Sequence, residues 1–141
     1  MTRLGEQTPA SLMCIVWHNM PVVRDPKNKW YVSEKEYAGS HFSTYCSGSA
    51  YILTSDLVEP FLLNSYRTPF FWIDDFYVTG LLAMNLNVTY KNLATFYVLK
   101  PDELHDRLVK GSAIFGHMPG SVTHRYRLWK DVLRIRGLLN Y

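Results

Sequence analysis

Short apolar runs separated by polar turn segments indicate where the chain forms strands. The run CIVW at residues 14–17 is typical of a buried strand. Residues 19–33 combine prolines with polar turn residues, which predicts a loop with one extended piece at 22–24. The stretch YCSGSAYILT at 45–54 predicts a turn of small residues that leads into a strand, and ATFYVL at 94–99 predicts a further strand.

Apolar residues at helical spacing predict two helices in the middle of the chain. The first begins at Ser55 as its N-cap and tolerates Pro60 near its start, where a missing N–H does little harm. Its apolar face consists of Leu57, Val58, Phe61 and Leu62. The second runs from about Asp74 to about Met84, and its apolar contacts come from Phe76, Val78, Leu81 and Leu82.

The clearest helical pattern lies near the end of the chain. Ser121 is its predicted N-cap and Gly137 its predicted C-terminal glycine. One face carries Val122, Tyr126, Trp129, Val132 and Leu133. Short strands that alternate with helices indicate an α/β class.

Composition places the chain among packed globular proteins and narrows its partners. Of 141 residues, 48% are hydrophobic and 19% charged, which excludes a disordered chain, and the length suits one domain or part of a larger one. The formal net charge of +3 owes much to the run at 124–136. That run also carries an apolar face that needs burial, so a nucleic-acid binder is a poor fit. No apolar run approaches the roughly 20 residues that span a membrane.

Two features bear on the cellular compartment. Cys14 and Cys46 are too few to define a disulfide framework, and their pairing stays open at this stage. Asn87 opens the sequon Asn-Val-Thr, which weakly supports a lumenal compartment. Residues 1–12 read as a polar, loose tail without an apolar signal core.

Two adjacent acids interrupt the most apolar segment, WIDDFYVTGLL at residues 72–82. One interpretation is a helix start, with Asp74 and Asp75 at the positive end of the helix dipole. The other is a catalytic base beside a buried sugar site. The residues alone favour the first interpretation.

Several motifs in one order resemble a known enzyme family. The segment 29–61, from KWYVS through YCSGSAY to VEPF, followed by FFWIDDFYVTGLLA, resembles the C-terminal half of β1,3-galactosyltransferase-like enzymes of glycosyltransferase family 31. The resemblance implies a GT-A type α/β fold, with residues 13–141 as its C-terminal, acceptor-side portion. It also implies inverting transfer of galactose or N-acetylglucosamine from a UDP-sugar to a glycan hydroxyl, a divalent metal, usually Mn²⁺, and a signal-anchored protein of the Golgi membrane.

The resemblance also assigns candidate site residues around the acid pair. Asp75 matches the family's catalytic base, which takes the proton of the acceptor hydroxyl as it attacks the anomeric carbon. Asp74 either assists it or caps the helix. The candidate substrate-binding residues of the small-residue turn are Tyr45, Ser47, Gly48, Ser49 and Tyr51. A tight turn without a ligand is the alternative for that segment.

Two further residues match the family at a distance along the chain. His117 stands where the family has a metal-coordinating histidine before the final helix, and a neutral imidazole suits manganese beside carboxylates. Trp30 matches the tryptophan of the Lys-Trp motif. It either packs in the core, the favoured reading, or forms a shelf for the acceptor.

One motif of the family does not occur in this sequence. No two aspartates have the Asp-x-Asp spacing of the family's metal-binding motif, which neutralises the leaving diphosphate. We therefore expect the chain to be an incomplete form, without transferase activity in isolation and with poor solubility. The alternative is a non-catalytic remnant of the family that binds a carbohydrate or a partner protein.

Overall fold

The structure, a computed structural model, describes residues 10–117 and 120–138. The chain divides into two compact units, residues 1–92 and 93–141, and each is described by itself. The first unit contains β1 (Ser11–Trp17), β2 (Tyr45–Leu53), α1 (Val58–Ser65), α2 (Asp74–Phe76) and β3 (Thr89–Asn92). The second contains β4 (Tyr97–Val98), α3 (Pro101–Val109), β5 (Phe115–Gly116) and α4 (Val122–Ile135).

A three-stranded sheet with the order β2-β1-β3 organises the first unit. β1 pairs with β2 in antiparallel and with β3 in parallel orientation. The strand predicted at 14–17 is therefore confirmed, and it begins earlier, at Ser11, inside the stretch predicted as a tail. Leu12 and Cys14 are two residues apart, so they point to the same face of the sheet, and both are fully buried because that face packs on an apolar cluster.

The small residues at 47–50 form a bulge inside β2. Cys14 and Val16 of β1 pair with Tyr51 and Cys46 of β2, so one residue of β1 lies opposite four residues of β2. The predicted turn is thus wrong, because β2 is continuous from Tyr45 to Leu53. A bulge bends a strand without ending it, and small residues suit a bulge as well as a turn.

A disulfide connects β1 and β2 where the bulge begins. Cys14 and Cys46 are bonded, with their Cα atoms 5.6 Å apart. The pairing that the sequence left open is therefore present in the structure. Both cysteines are fully buried in the apolar cluster beneath the sheet, which also contains Leu12, Val16, Leu57, Phe61, Leu82 and Ala83.

The first predicted helix forms, but its cap and its buried face differ from the prediction. A 3₁₀ turn, Ser55–Leu57, precedes α1, and the cap position is Thr54, without a side-chain cap bond. The Thr54 hydroxyl instead accepts a hydrogen bond from the Ser11 N–H at 2.9 Å. Leu57 and Phe61 are buried as predicted, whereas Val58 and Leu62 are exposed.

The second predicted helix begins at Asp74 but changes its geometry after one turn. α2 continues as a π-helix, Tyr77–Leu81, in which the Leu82 N–H donates to the Tyr77 carbonyl at 3.0 Å. An apolar cluster holds this segment. Fully buried Phe76 packs there with Val22, Val32, Phe42, Tyr45, Phe71 and Ile73.

The second unit is a small parallel strand pair with two helices. β4 pairs with β5, and Val98, Leu104 and Ala113 form the core. The strand predicted at 94–99 is only partly confirmed, because Ala94–Phe96 is a 3₁₀ turn. The second unit thus adds a further strand pair to a chain that is, as predicted, of mixed α/β class.

The ends of α4 are confirmed, but its predicted apolar face is only partly buried. The Ser121 hydroxyl accepts from the His124 N–H at 3.3 Å, and Gly137 has a φ of +67°. Val132 is buried, whereas Val122, Tyr126 and Trp129 are exposed. Among the described residues, no helix combines the length and hydropathy needed to cross a bilayer.

Reducing the Cys14–Cys46 disulfide should lower the stability of the first unit. A bond across 32 residues of sequence restricts the unfolded chain and contributes about 3–4 kcal/mol. We expect dithiothreitol to lower the free energy of unfolding by that amount in urea titrations. A Cys14→Ala/Cys46→Ala variant should have the free energy of unfolding of the reduced protein, and dithiothreitol should not change it. Equal stability of the oxidised and reduced proteins would contradict the expectation.

Candidate active site

Asp75 lies in the first turn of α2, against the bulge of β2. Its Oδ2 accepts a hydrogen bond from the Gly48 N–H at 2.9 Å, and its Oδ1 accepts from the Phe76 N–H at 2.8 Å. The side chain is half-buried, while that of Asp74 is exposed. Each carboxylate oxygen is thus held by a backbone donor and retains a free lone pair, which is the geometry of an oriented acceptor of a proton.

The two acids do not cap the helix. Ile73 occupies the N-cap position, and no side-chain cap bond is present there. Asp74 and Asp75 both lie in the first turn, where the helix dipole favours negative charge. The cap role considered for Asp74 is therefore wrong. The helix dipole explains why both acids lie in the first turn. It does not explain the contact of Asp75 with β2.

Gly48 allows the bulge to approach the acid closely. A Cβ atom at this position would lie 3.2 Å from both Cβ and Oδ2 of Asp75. Side chains rarely tolerate such separations, so a glycine is needed for this approach. The bulge thereby places Gly48 at the acid, and the neighbouring hydroxyls of Ser47 and Ser49 lie 3.1 Å from each other. The substrate-binding role of these residues stays a prediction.

Two tyrosines of β2 flank the acids. Burial raises the pKa of the Tyr51 phenol, and the negative charges of Asp74 and then Asp75 raise it further. Burial and then the charge of Asp75 raise the pKa of Tyr45 in the same direction. The ring of Tyr45 packs in the core against Phe42 and Phe76. The structure brings Tyr45, Gly48, Tyr51, Asp74 and Asp75 together.

Thr79 is a site neighbour that the sequence reasoning missed. It is fully buried, and its hydroxyl accepts from the Cys46 N–H at 2.8 Å and donates to the Asp75 carbonyl at 2.5 Å. The hydroxyl of Tyr90 on β3 donates to the Thr79 carbonyl at 2.5 Å. Its position four residues after Asp75 was the available signal, because a threonine in a helix can bond to the carbonyl four residues earlier.

Trp30 is exposed and lies against a second tryptophan. It stacks on Trp72 with ring planes 5° apart and centroids separated by 6.0 Å. Trp30 is 49% exposed and Trp72 is 37% exposed, so the favoured core role of Trp30 is wrong. Lys29 Nζ lies 4.9 Å from the centroid of the Trp30 ring. The sequence reasoning did not single out Trp72.

Two other predicted residues, Asn87 and His117, are exposed. Asn87 is exposed in the loop before β3, and its glycosylation stays a prediction. His117 is exposed at the end of β5 in the second unit, where its N–H donates to the Val98 carbonyl at 3.0 Å. Across residues 10–117 and 120–138, no group of three or more His, Cys, Asp and Glu could hold a metal ion. The described residues therefore do not fit a complete manganese site.

Replacing Gly48 by alanine should disturb the contact with Asp75. The added Cβ needs the space that the carboxylate occupies, so Asp75 must shift by a few tenths of an ångström. We expect Gly48→Ala to cost about 1 kcal/mol in urea unfolding. Ser49→Ala, in the same bulge, adds no atom and serves as control; equal stability of the two variants would show that the close approach is unimportant.

Tyr90 should make stability depend on alkaline pH. Burial raises its pKa from 10.0 to about 12, so the neutral phenol is favoured in the folded state. Its contribution is complete below pH 10 and is lost as the pH rises through 12. The free energy of unfolding should fall less steeply between pH 9 and 11.5 in Tyr90→Phe than in the wild type or the exposed control Tyr66→Phe. Identical slopes would refute this.

Comparison with known proteins gives the chain a family. Residues 1–94 match the family described as Galactosyltransferase. The chain is 27% identical to mouse and to human β-1,3-galactosyltransferase 1 over 101 residues, which cover 59% of this chain and 31% of those proteins. It is 31% identical to mouse β-1,3-galactosyltransferase 5 over 90 residues, which cover 64% of this chain and 25% of that protein. The chain thus aligns with less than a third of these relatives, and it belongs to the galactosyltransferase family.

Proposed function

We propose that this chain forms the acceptor-side part of an inverting, GT-A type hexosyltransferase that transfers galactose or N-acetylglucosamine from a UDP-sugar in β1,3 linkage. Membership in the galactosyltransferase family supports a sugar donor and a glycan acceptor in general. The observation that carries the assignment of the base is the contact of the Asp75 carboxylate with the Gly48 N–H. The donor sugar and the linkage come from the similarity to β-1,3-galactosyltransferases.

Asp75 is the general base of this reaction. The acceptor hydroxyl attacks the anomeric carbon, the bond from that carbon to the UDP oxygen breaks, and the hydroxyl proton passes to the carboxylate. An alcohol is a poor nucleophile, so removing its proton during the attack lowers the barrier. The backbone donors at Gly48 and Phe76 hold the carboxylate in one orientation, which removes the need to order it during reaction.

The exposed aromatic pair is the acceptor shelf. Trp30 and Trp72 present apolar ring surface to solvent. Trp72 precedes Asp75 by three residues in the sequence. Exposed apolar surface of this kind marks binding surfaces, and indole rings combine an apolar face with a polar N–H. The hydroxyls of Ser47, Ser49 and Tyr51 supply polar contacts to the sugars.

A Golgi lumenal location accords with the chemistry of the chain. Disulfides persist in oxidising compartments of the secretory pathway, and Cys14 and Cys46 form one. The sequon at Asn87 is exposed, as an acceptor for glycosylation must be. The manganese requirement and the role of His117 stay predictions from the family.

Substitution of Asp75 tests the proposal. In the transferase that carries this chain, Asp75→Asn should lower kcat by about 10²–10⁴-fold, because the amide cannot take the proton. Asp74→Asn, in which the exposed neighbour loses the same charge, should lower kcat by less than about tenfold. Both variants should bind UDP as the wild type does in calorimetry.

The control separates a base from a general charge effect. Turnover is measured with UDP-galactose and with UDP-N-acetylglucosamine, at saturating acceptor. Equal losses in the two variants would assign the effect to the summed charge of the acids. Wild-type turnover in Asp75→Asn would refute the base. Absence of turnover in the wild-type transferase itself would instead favour the non-catalytic remnant that binds a carbohydrate.

A further inference from the structure

A buried hydroxyl connects the main chain of Asp75 to β2. Thr79 is fully buried, and its one hydroxyl is used as donor and as acceptor at once. It accepts from the Cys46 N–H at 2.8 Å and donates to the Asp75 carbonyl at 2.5 Å. Cys46 and Thr79 are 33 residues apart in sequence, so this is a tertiary bridge and not a local helix bond alone.

β2 therefore holds Asp75 at two points. The Gly48 N–H bonds to the carboxylate of Asp75, and the Cys46 N–H reaches the carbonyl of the same residue through Thr79. Hydrogen bonds at the carboxylate oxygens restrict the side-chain torsions of Asp75, but they do not fix the main chain that carries the side chain. The bond through Thr79 holds that main chain against β2, and buried hydrogen bonds are strengthened by the low dielectric around them.

Thr79 belongs to the π-helical segment that follows α2. Thr79 lies in the middle of Tyr77–Leu81, where the helix widens, and Tyr90 of β3 bonds to its carbonyl. π-helical turns are rare and often occur at functional sites. The segment thus receives a hydrogen bond from each outer strand of the sheet, β2 at the hydroxyl and β3 at the carbonyl.

We infer that Thr79 is a positioning residue for the transfer reaction, one that keeps the Asp75 carboxylate against the bulge of β2 in the orientation that accepts the acceptor's proton. The inference rests on the proposed function of Asp75. A threonine that serves only stability would affect all hydrogen bonds of the first unit alike. A positioning threonine affects the Gly48–Asp75 bond and the rate, and it does so beyond any general loss of stability.

Three variants separate these roles. Thr79→Val keeps the shape of the side chain and removes the hydroxyl. The Cys46 N–H and the Asp75 carbonyl then lose the hydrogen bonds that they make with it. Thr79→Ser restores the hydroxyl. Thr54→Val is the matched control, because Thr54 also accepts a strand N–H, that of Ser11 at 2.9 Å, in the same unit but without a bond to Asp75.

The first readout needs no activity. Amide hydrogen exchange at Gly48, measured by NMR and compared with the amides of β1, should quicken about tenfold in Thr79→Val, the equivalent of one lost hydrogen bond. It should stay within about twofold of wild type in Thr79→Ser and Thr54→Val. Gly48 exchange in Thr79→Val that matches Thr54→Val overturns the inference.

The second readout separates this inference from the proposed function. In the transferase, Thr79→Val should lose about tenfold in kcat with an unchanged KM, and Thr79→Ser should recover it. Wild-type kcat in Thr79→Val beside an inactive Asp75→Asn overturns the inference and leaves the base intact. Full activity of Asp75→Asn overturns the proposed role of Asp75 as the base. The role of Thr79 in positioning that base then fails too, at any exchange rate measured for the Gly48 amide.

Discussion

The contact between the bulge of β2 and the first turn of α2 determines the geometry of the candidate site. It favours a glycine at position 48, because a Cβ atom there would lie 3.2 Å from Asp75 and would force the acid to shift. It also requires the extra residues of the bulge, since a regular strand would pair each residue of β2 with one of β1. The acid is consequently held between β2 and the first turn of α2, each of which donates a backbone N–H to its carboxylate, and this defines the orientation that a base needs.

The features that local residues dictate were predictable from the sequence. The strand at 14–17 follows from a run of apolar residues that needs burial. The start of α4 follows from the side-chain oxygen of Ser121, and its end follows from the left-handed backbone of Gly137. Features that depend on long-range packing were not predictable. The bulge, the π-helix and the exposed face of α4 arise from what each segment lies against, and apolar spacing alone cannot show that.

The candidate site divides in the same way. Asp75, Gly48 and Tyr51 could be assigned because the motifs resemble those of a family, and the structure places all three together. Thr79 and Trp72 were missed, although both stand within four residues of Asp75. Both lie in the stretch WIDDFYVTGLL, but that pattern assigns chemistry only to its two acids. Thr79 bonds to Cys46, which is 33 residues away, and Trp72 stacks on Trp30, and the local sequence shows neither contact.

The disulfide makes the site depend on the compartment in which the protein folds. Cys46 is bonded to Cys14, its N–H reaches Asp75 through Thr79, and Gly48, two residues further, bonds to the carboxylate directly. The disulfide thus fixes Cys46, where the bulge begins, and both hydrogen bonds come from this part of β2. Reduction would remove this covalent link at the place where the register of β1 and β2 is interrupted. Oxidising conditions therefore favour the fold and the orientation of the acid through the same residue.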